Sequence, residues 1–90
     1  MQASFDVNRG FGVEIETARS SRHSIHTIAQ ALTNAGILCT AEHGHTTRRH
    51  WKVVPDASTG SEIVSPILYG LDGLDQITRV CRILHDIGLR

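Results

Sequence analysis

Phe11-Gly12-Val13-Glu14-Ile15-Glu16 is the stretch that decides how this chain is read. It alternates strictly, which is the pattern of a strand with Phe11, Val13 and Ile15 on one face. Gly12, Glu14 and Glu16 then share the other face. Two carboxylates two residues apart on a strand sit about 6–7 Å from each other. Like charges that close repel unless something cationic sits between them. Magnesium or manganese would remove the conflict, because these hard cations prefer oxygen ligands. Gly12 leaves room for a ligand to approach the backbone beside the acids. Taken alone, Glu-x-Glu on the wet face of an amphipathic strand is more often simply solvated, so the metal reading rests on the second half of the chain.

Downstream of this strand, which spans about 10–17, Ser20 and Ser21 offer an N-cap for a helix over about 22–35. Its apolar residues Ile25, Ile28, Leu32 and Ala35 are spaced by three and four and form one face. Gly36 is placed to end it in the left-handed region. Ile37 to Ala41 reads as a second strand, and His43 to Thr47 as a turn. A third strand covers about 49–54, with Trp51 and Val53 on one face and Pro55 marking its end. Asp56 to Gly60 has turn composition. A fourth strand runs from Ser61 to Ser65 and stops at Pro66. Asp72 is placed to cap a last helix over about 73–87, with Leu74, Ile77, Cys81, Leu84 and Ile87 as its core face and Gly88 as its stop.

The element order β-α-β-β-β-α predicts an α+β fold, a mostly antiparallel sheet covered on one face by two helices. Phe11, Val13, Ile15, Ile28, Leu32, Ile63, Ile77, Cys81 and Leu84 are the expected core. The other face of the sheet, carrying Glu14 and Glu16, has no evident cover and is expected to be open to solvent or to a second chain. Glu62 joins those acids on that face if the register permits.

The chain has 90 residues, one small domain or part of a larger one. A chain this short buries only about 60–65% of its unfolded surface. The 9 basic and 9 acidic residues balance, so net charge argues for neither nucleic acid nor an anionic membrane. Arg48-Arg49-His50 beside Trp51 is basic, but no wider patch extends it. No apolar run of about 18 residues suits a membrane span. The N-terminus lacks the basic and apolar regions of a secretory signal. Cys39 and Cys81 lack Cys-x-x-Cys spacing and read as two small buried hydrophobes in a reducing cytoplasm. Cys39, His43, His45 and His50 fit no closed zinc pattern well.

A second block carries further chemistry: Trp51-Lys52-Val53-Val54-Pro55-Asp56-Ala57-Ser58, then Gly60-Ser61-Glu62-Ile63-Val64-Ser65-Pro66. It reads as a hairpin with an acid at the tip and another in the returning strand. Together with Phe-Gly-Val-Glu-Ile-Glu, and with Leu68-Tyr69-Gly70-Leu71-Asp72-Gly73-Leu74 leading into a helix, it resembles the amidoligase family. These are carboxylate–amine ligases related in fold to glutamine synthetase and glutamate–cysteine ligase. The resemblance runs from Phe11 to about Leu89. Each piece is weak alone; the ordered set is quite specific.

The resemblance implies ATP-dependent amide formation through an acyl phosphate, with magnesium or manganese neutralising charge on the phosphates. It implies that Glu14, Glu16 and Glu62 ligate metal; from their place in the hairpin Ser58, Ser61 and Ser65 would supply hydroxyls near that site, Ser58 and Ser61 at the nucleotide. Glu62 would also serve catalysis, with Asp56 binding the amine or accepting its proton. The substrates would be small-molecule or peptide carboxylates and amines, with no membrane and no nucleic acid. The family continues with a segment like Cys-Gly-Leu-His-Val-His and with basic residues that hold phosphates. Neither follows Arg90, and Lys52, the one candidate here, reads as a solvated strand residue. The expectation is therefore the N-terminal part of a ligase domain spanning 1–90, completed by further sequence or a partner chain. The competing expectation is a non-catalytic binding or interaction module that keeps the sheet scaffold.

Overall fold

The structure, a computed structural model, describes residues 9–17, 24–43, 49–56 and 60–88. Its six elements run in the order β1 (Glu14–Glu16), α1 (Ile25–Asn34), β2 (Cys39–Ala41), β3 (Trp51–Asp56), β4 (Gly60–Val64) and α2 (Gly70–Asp86). The fold is α+β, a four-stranded mixed sheet in the order β1-β4-β3-β2 with two helices. The β1–β4 and β4–β3 pairings are antiparallel, whereas β2 runs parallel to β3. The parallel pairing means that β2 and β3 do not form a hairpin.

Period-two alternation assigns the faces. Ile15 pairs with Ile63, Ile63 with Val53, and Val53 with Ala41, so all four share one face. On that face Ile28, Ala29 and Leu32 of α1 and Val80 and Leu84 of α2 join Trp51, Val53 and Ile63 in one cluster. Both helices therefore lie on the same side, as the pattern predicts. Phe11, Val13, Ile15 and Ile77 pack against the cluster partly buried. Each fully buried aliphatic side chain here contributes about 1.5–3 kcal/mol.

Local chemistry explains the boundaries. Strand β1 is shorter than the alternation predicts, but the extended chain continues on both sides of it. Phe11 exchanges backbone hydrogen bonds with Leu68, Ser65 N donates to Val13 O, and Thr17 N donates to Ser61 O. Helix α1 starts later than expected, because Ser24 is its cap and accepts from Thr27 N at 3.2 Å; Ser20 and Ser21 lie outside the described residues. Ala29, rather than the exposed Ala35, completes its buried face. Gly36 adopts a φ of 94°, and Ile37 N closes back on Leu32 O at 2.9 Å, which satisfies a terminal carbonyl as a left-handed C-cap does.

Three expectations are corrected. Pro55 does not end β3, which continues to Asp56 with Pro55 opposite Ser61. Paired β2 residues reach only as far as Val53, so Pro55 sits where β3 is an edge and a missing N–H is tolerated. Asp72 is not the cap of α2. The cap position is Tyr69, without a side-chain hydrogen bond, and Asp72 lies in the first turn, where its charge suits the helix dipole. The core face of α2 is also rotated. Gly70, Gly73, Val80 and Leu84 are buried, while Leu74 is 43% exposed and Cys81 is exposed. Glycine carries no apolar side chain, so a hydropathy pattern passes over the position at which helix and loop come closest.

That close approach is testable. A Cβ on Gly73 would lie 2.8 Å from Leu68 Cβ and 3.0 Å from Phe11 Cζ. At an exposed helix position Gly→Ala gains about 1 kcal/mol. Here overpacking costs about 1–3 kcal/mol, so Gly73→Ala is expected to lower the urea midpoint. A raised midpoint would show that α2 does not press on Leu68.

Candidate functional site

The face of the sheet opposite the helices is built by the alternate residues of the same strands. Glu14 pairs with Val64, Val64 with Lys52, and Lys52 with Thr40. In the next row Glu16 pairs with Glu62, and Glu62 with Val54. Glu14, Glu16 and Glu62 therefore share one face, as the Glu-x-Glu alternation anticipates. Directly opposed residues place their Cβ atoms about 4.5–5.5 Å apart, and diagonal neighbours about 7–8 Å. The Glu16–Glu62 pair is thus a like-charge pair across two strands, with Glu14 diagonal to Glu62. Glu14 and Glu16 are exposed and Glu62 is half-buried.

The centre of this face is not bare. Lys52 and Val54 are each only 2% exposed, which corrects the solvated reading of Lys52, while Glu14 and Glu16 on the same face stay open to solvent. A buried ammonium requires polar company. By register Lys52 is diagonal to Glu62 and beside Thr40, and neither Lys52 nor Glu62 is without a partner. A lysine thus lies beside Glu62 on this face as part of the chain itself.

Beyond Lys52 the face continues into a hydrogen-bonded group that the residue pattern did not disclose. Thr40 Oγ1 donates to Glu42 Oε2 at 2.5 Å and lies 2.8 Å from His50 Nε2. His50 Nε2 is 3.7 Å from the same carboxylate oxygen. A hydroxyl has one proton to give. With that proton directed at Glu42, His50 donates from Nε2, and the chain of donors runs from imidazole to hydroxyl to carboxylate. Thr40 is held as a relay rather than activated as a nucleophile. The available signal was position: Glu42 lies two residues beyond Thr40, and His50 two before Lys52.

The other anticipated residues lie elsewhere. Ser61 is on the helix side of β4, 3% exposed, with its Oγ 2.8 Å from Thr17 Oγ1. Its hydroxyl is used in packing, away from Glu62. Ser65 Oγ accepts from Val13 N at 2.9 Å and donates to Pro66 O at 2.8 Å, fixing the step between β4 and α2. The backbone of Asp56 closes β3 opposite Gly60; Ser58 lies outside the described residues, as does His45. Cys39 is in the core cluster while His50 is on the opposite face, so the two do not meet as zinc ligands. Among the described residues no three His, Cys, Asp or Glu side chains converge to hold a metal ion as they stand. No helix among them is long and apolar enough to cross a membrane.

The two thiols separate chemically. Burial, with the Glu42 carboxylate adding to it, pushes the Cys39 thiol up to about 12, so it stays protonated and inert at neutral pH. Cys81 is exposed and free, which corrects its assignment to the core. At pH 8 one thiol per native chain is expected to react quickly with Ellman's reagent, and two in denaturant. Two fast thiols in the native protein would contradict the burial of Cys39.

No family model, no curated protein and no solved structure matches this chain.

Proposed function

We propose that this chain is a carboxylate–amine ligase unit of the amidoligase type, whose polar sheet face receives ATP with magnesium or manganese and a carboxylate to be activated. The observation that carries the reading is the register that sets Glu16 against Glu62 and Glu14 on the same face. Magnesium takes one or two carboxylates, keeps several waters and leaves the rest of its shell to substrate phosphates. Two exposed acids beside a half-buried third suit that use without a preformed cage. When bound, the metal would neutralise phosphate charge. The chain's own contribution is to hold these carboxylates on one rigid face, with Lys52 fixed at its centre. The reading places the protein in the cytoplasm, where ATP is available and Cys39 and Cys81 remain free thiols. It assigns a substrate amine to the Asp56 end of β3 and leaves a phosphate clamp to further sequence or a partner chain.

A second reading is favoured by one specific observation. The buried Lys52 already supplies a positive charge to this face, as a scaffold that needs no metal would arrange it. In that case the domain is a non-catalytic binding module.

Manganese titration followed by water proton relaxation separates the two. Under the ligase reading wild type binds manganese, more tightly with a non-hydrolysable ATP analogue present, and Glu16→Gln weakens binding at least several-fold without loss of fold. Equal manganese affinity in wild type and Glu16→Gln would sink the ligase site and leave the scaffold reading.

A further inference from the structure

A groove of about 570 Å³ opens at the end of the sheet where β2 and β3 begin and β4 ends. The first half of α2 forms one wall, and the turn after α1 forms another. This volume falls in the range of about 300–1,000 Å³ usual for small-molecule sites. The groove is separate from the Glu14, Glu16 and Glu62 cluster, none of which lines it.

Its lining combines an apolar body with unbalanced charge. Leu38 and Ile67 border it and are 64% and 55% exposed, so apolar surface is presented to solvent there. Trp51 lines it with its indole held in place: Nε1 donates to Gln76 Oε1 at 3.0 Å, and Gln76 Nε2 donates to Asp72 Oδ2 at 2.9 Å. Arg49 and Arg79 line the same groove from β3's approach and from α2. Arg79 makes a long contact of 3.4 Å to Ala35 O, which uses one of its five donors. His50 also lines the groove, with Nε2 engaged by Thr40. The formal balance with neutral His50 is two arginines against Asp72, and Asp72 already accepts from Gln76. The surplus is one positive charge, which suits a monoanion better than a phosphate dianion.

We infer that this groove binds a small amphipathic organic acid, with its carboxylate toward Arg49 and Arg79 and its apolar chain along the exposed Leu38 and Ile67, over the buried Trp51. Arginine suits such a head group because its planar donors meet a carboxylate two at a time. The inference stands apart from the ligase reading and requires neither metal nor nucleotide.

Trp51 is the only tryptophan of the chain and is 2% exposed between this groove and the core, so the emission comes from one side chain that borders the groove. Octanoate added to the full chain is expected to shift Trp51 emission saturably. Octanamide, which keeps the apolar chain and lacks the charge, is expected to bind at least tenfold more weakly. The double variant Arg49→Gln/Arg79→Gln, altered only at exposed positions, is expected to lose octanoate binding by a similar factor with its far-ultraviolet circular dichroism unchanged. A flat titration, equal response to octanoate and octanamide, or an unaffected double variant would each overturn the proposal. So would displacement of octanoate by an equal concentration of inorganic phosphate, because the apolar body would then contribute nothing.

Discussion

The antiparallel register of β4 between β1 and β3 is the constraint on which the rest of this molecule depends. Ile63 sits between Ile15 and Val53, and Glu62 between Glu16 and Val54. Side chains on a strand alternate with period two, so sliding β4 by one residue would move its entire set to the other face. Ile63 would leave the helices and Glu62 would enter the core. Burying an unpaired carboxylate is far more costly than any gain from a new apolar contact. The same pairing therefore sets the hydrophobic layer and the row of acids, and neither can shift without the other.

That register also creates an electrostatic conflict. Two glutamates face each other across β1 and β4, and directly opposed like charges destabilise a sheet. The neighbouring strand sets a buried lysine diagonal to Glu62 on the same face. Lys52 is buried on the face it shares with Val54 and Val64, as the aliphatic stems of long cationic side chains commonly are. The acids and this lysine come from strands that are neighbours in space through β4. In the sequence Lys52 is 36 positions beyond Glu16.

Much of the architecture was legible from the pattern of residues. The alternation of Phe11 to Glu16, the three-and-four spacing of Ile25, Ile28 and Leu32, and the stop at Gly36 all report local preferences that tertiary structure did not override. The shared face of Glu14 and Glu16 was legible for the same reason, whereas the place of Glu62 beside them depended on the β1–β4 register. What escaped was set by partners distant in sequence. Gly73 is buried because Leu68 and Phe11 crowd it, and the alternative face through Leu74 and Cys81 looked equally good without that knowledge. Lys52 carries the hydropathy of a surface residue and is buried by its neighbours. The parallel pairing of β2 with β3, and with it the Thr40, Glu42 and His50 group, joins residues about ten positions apart. Composition alone does not encode that pairing.

The two outer strands of the sheet, β1 and β2, are also its shortest, at three residues each. An edge strand presents unpaired backbone donors and acceptors that recruit foreign strands, and long flat edges lead to aggregation. Among the described residues β2 offers little more than one repeat of the ladder, and β1 is prolonged by backbone bonds at Phe11, Val13 and Thr17. On β1 Glu14 and Glu16 are exposed, so a second copy approaching edge to edge would bring acid against acid. The residues that give the sheet its polar face therefore also guard its margin against self-association.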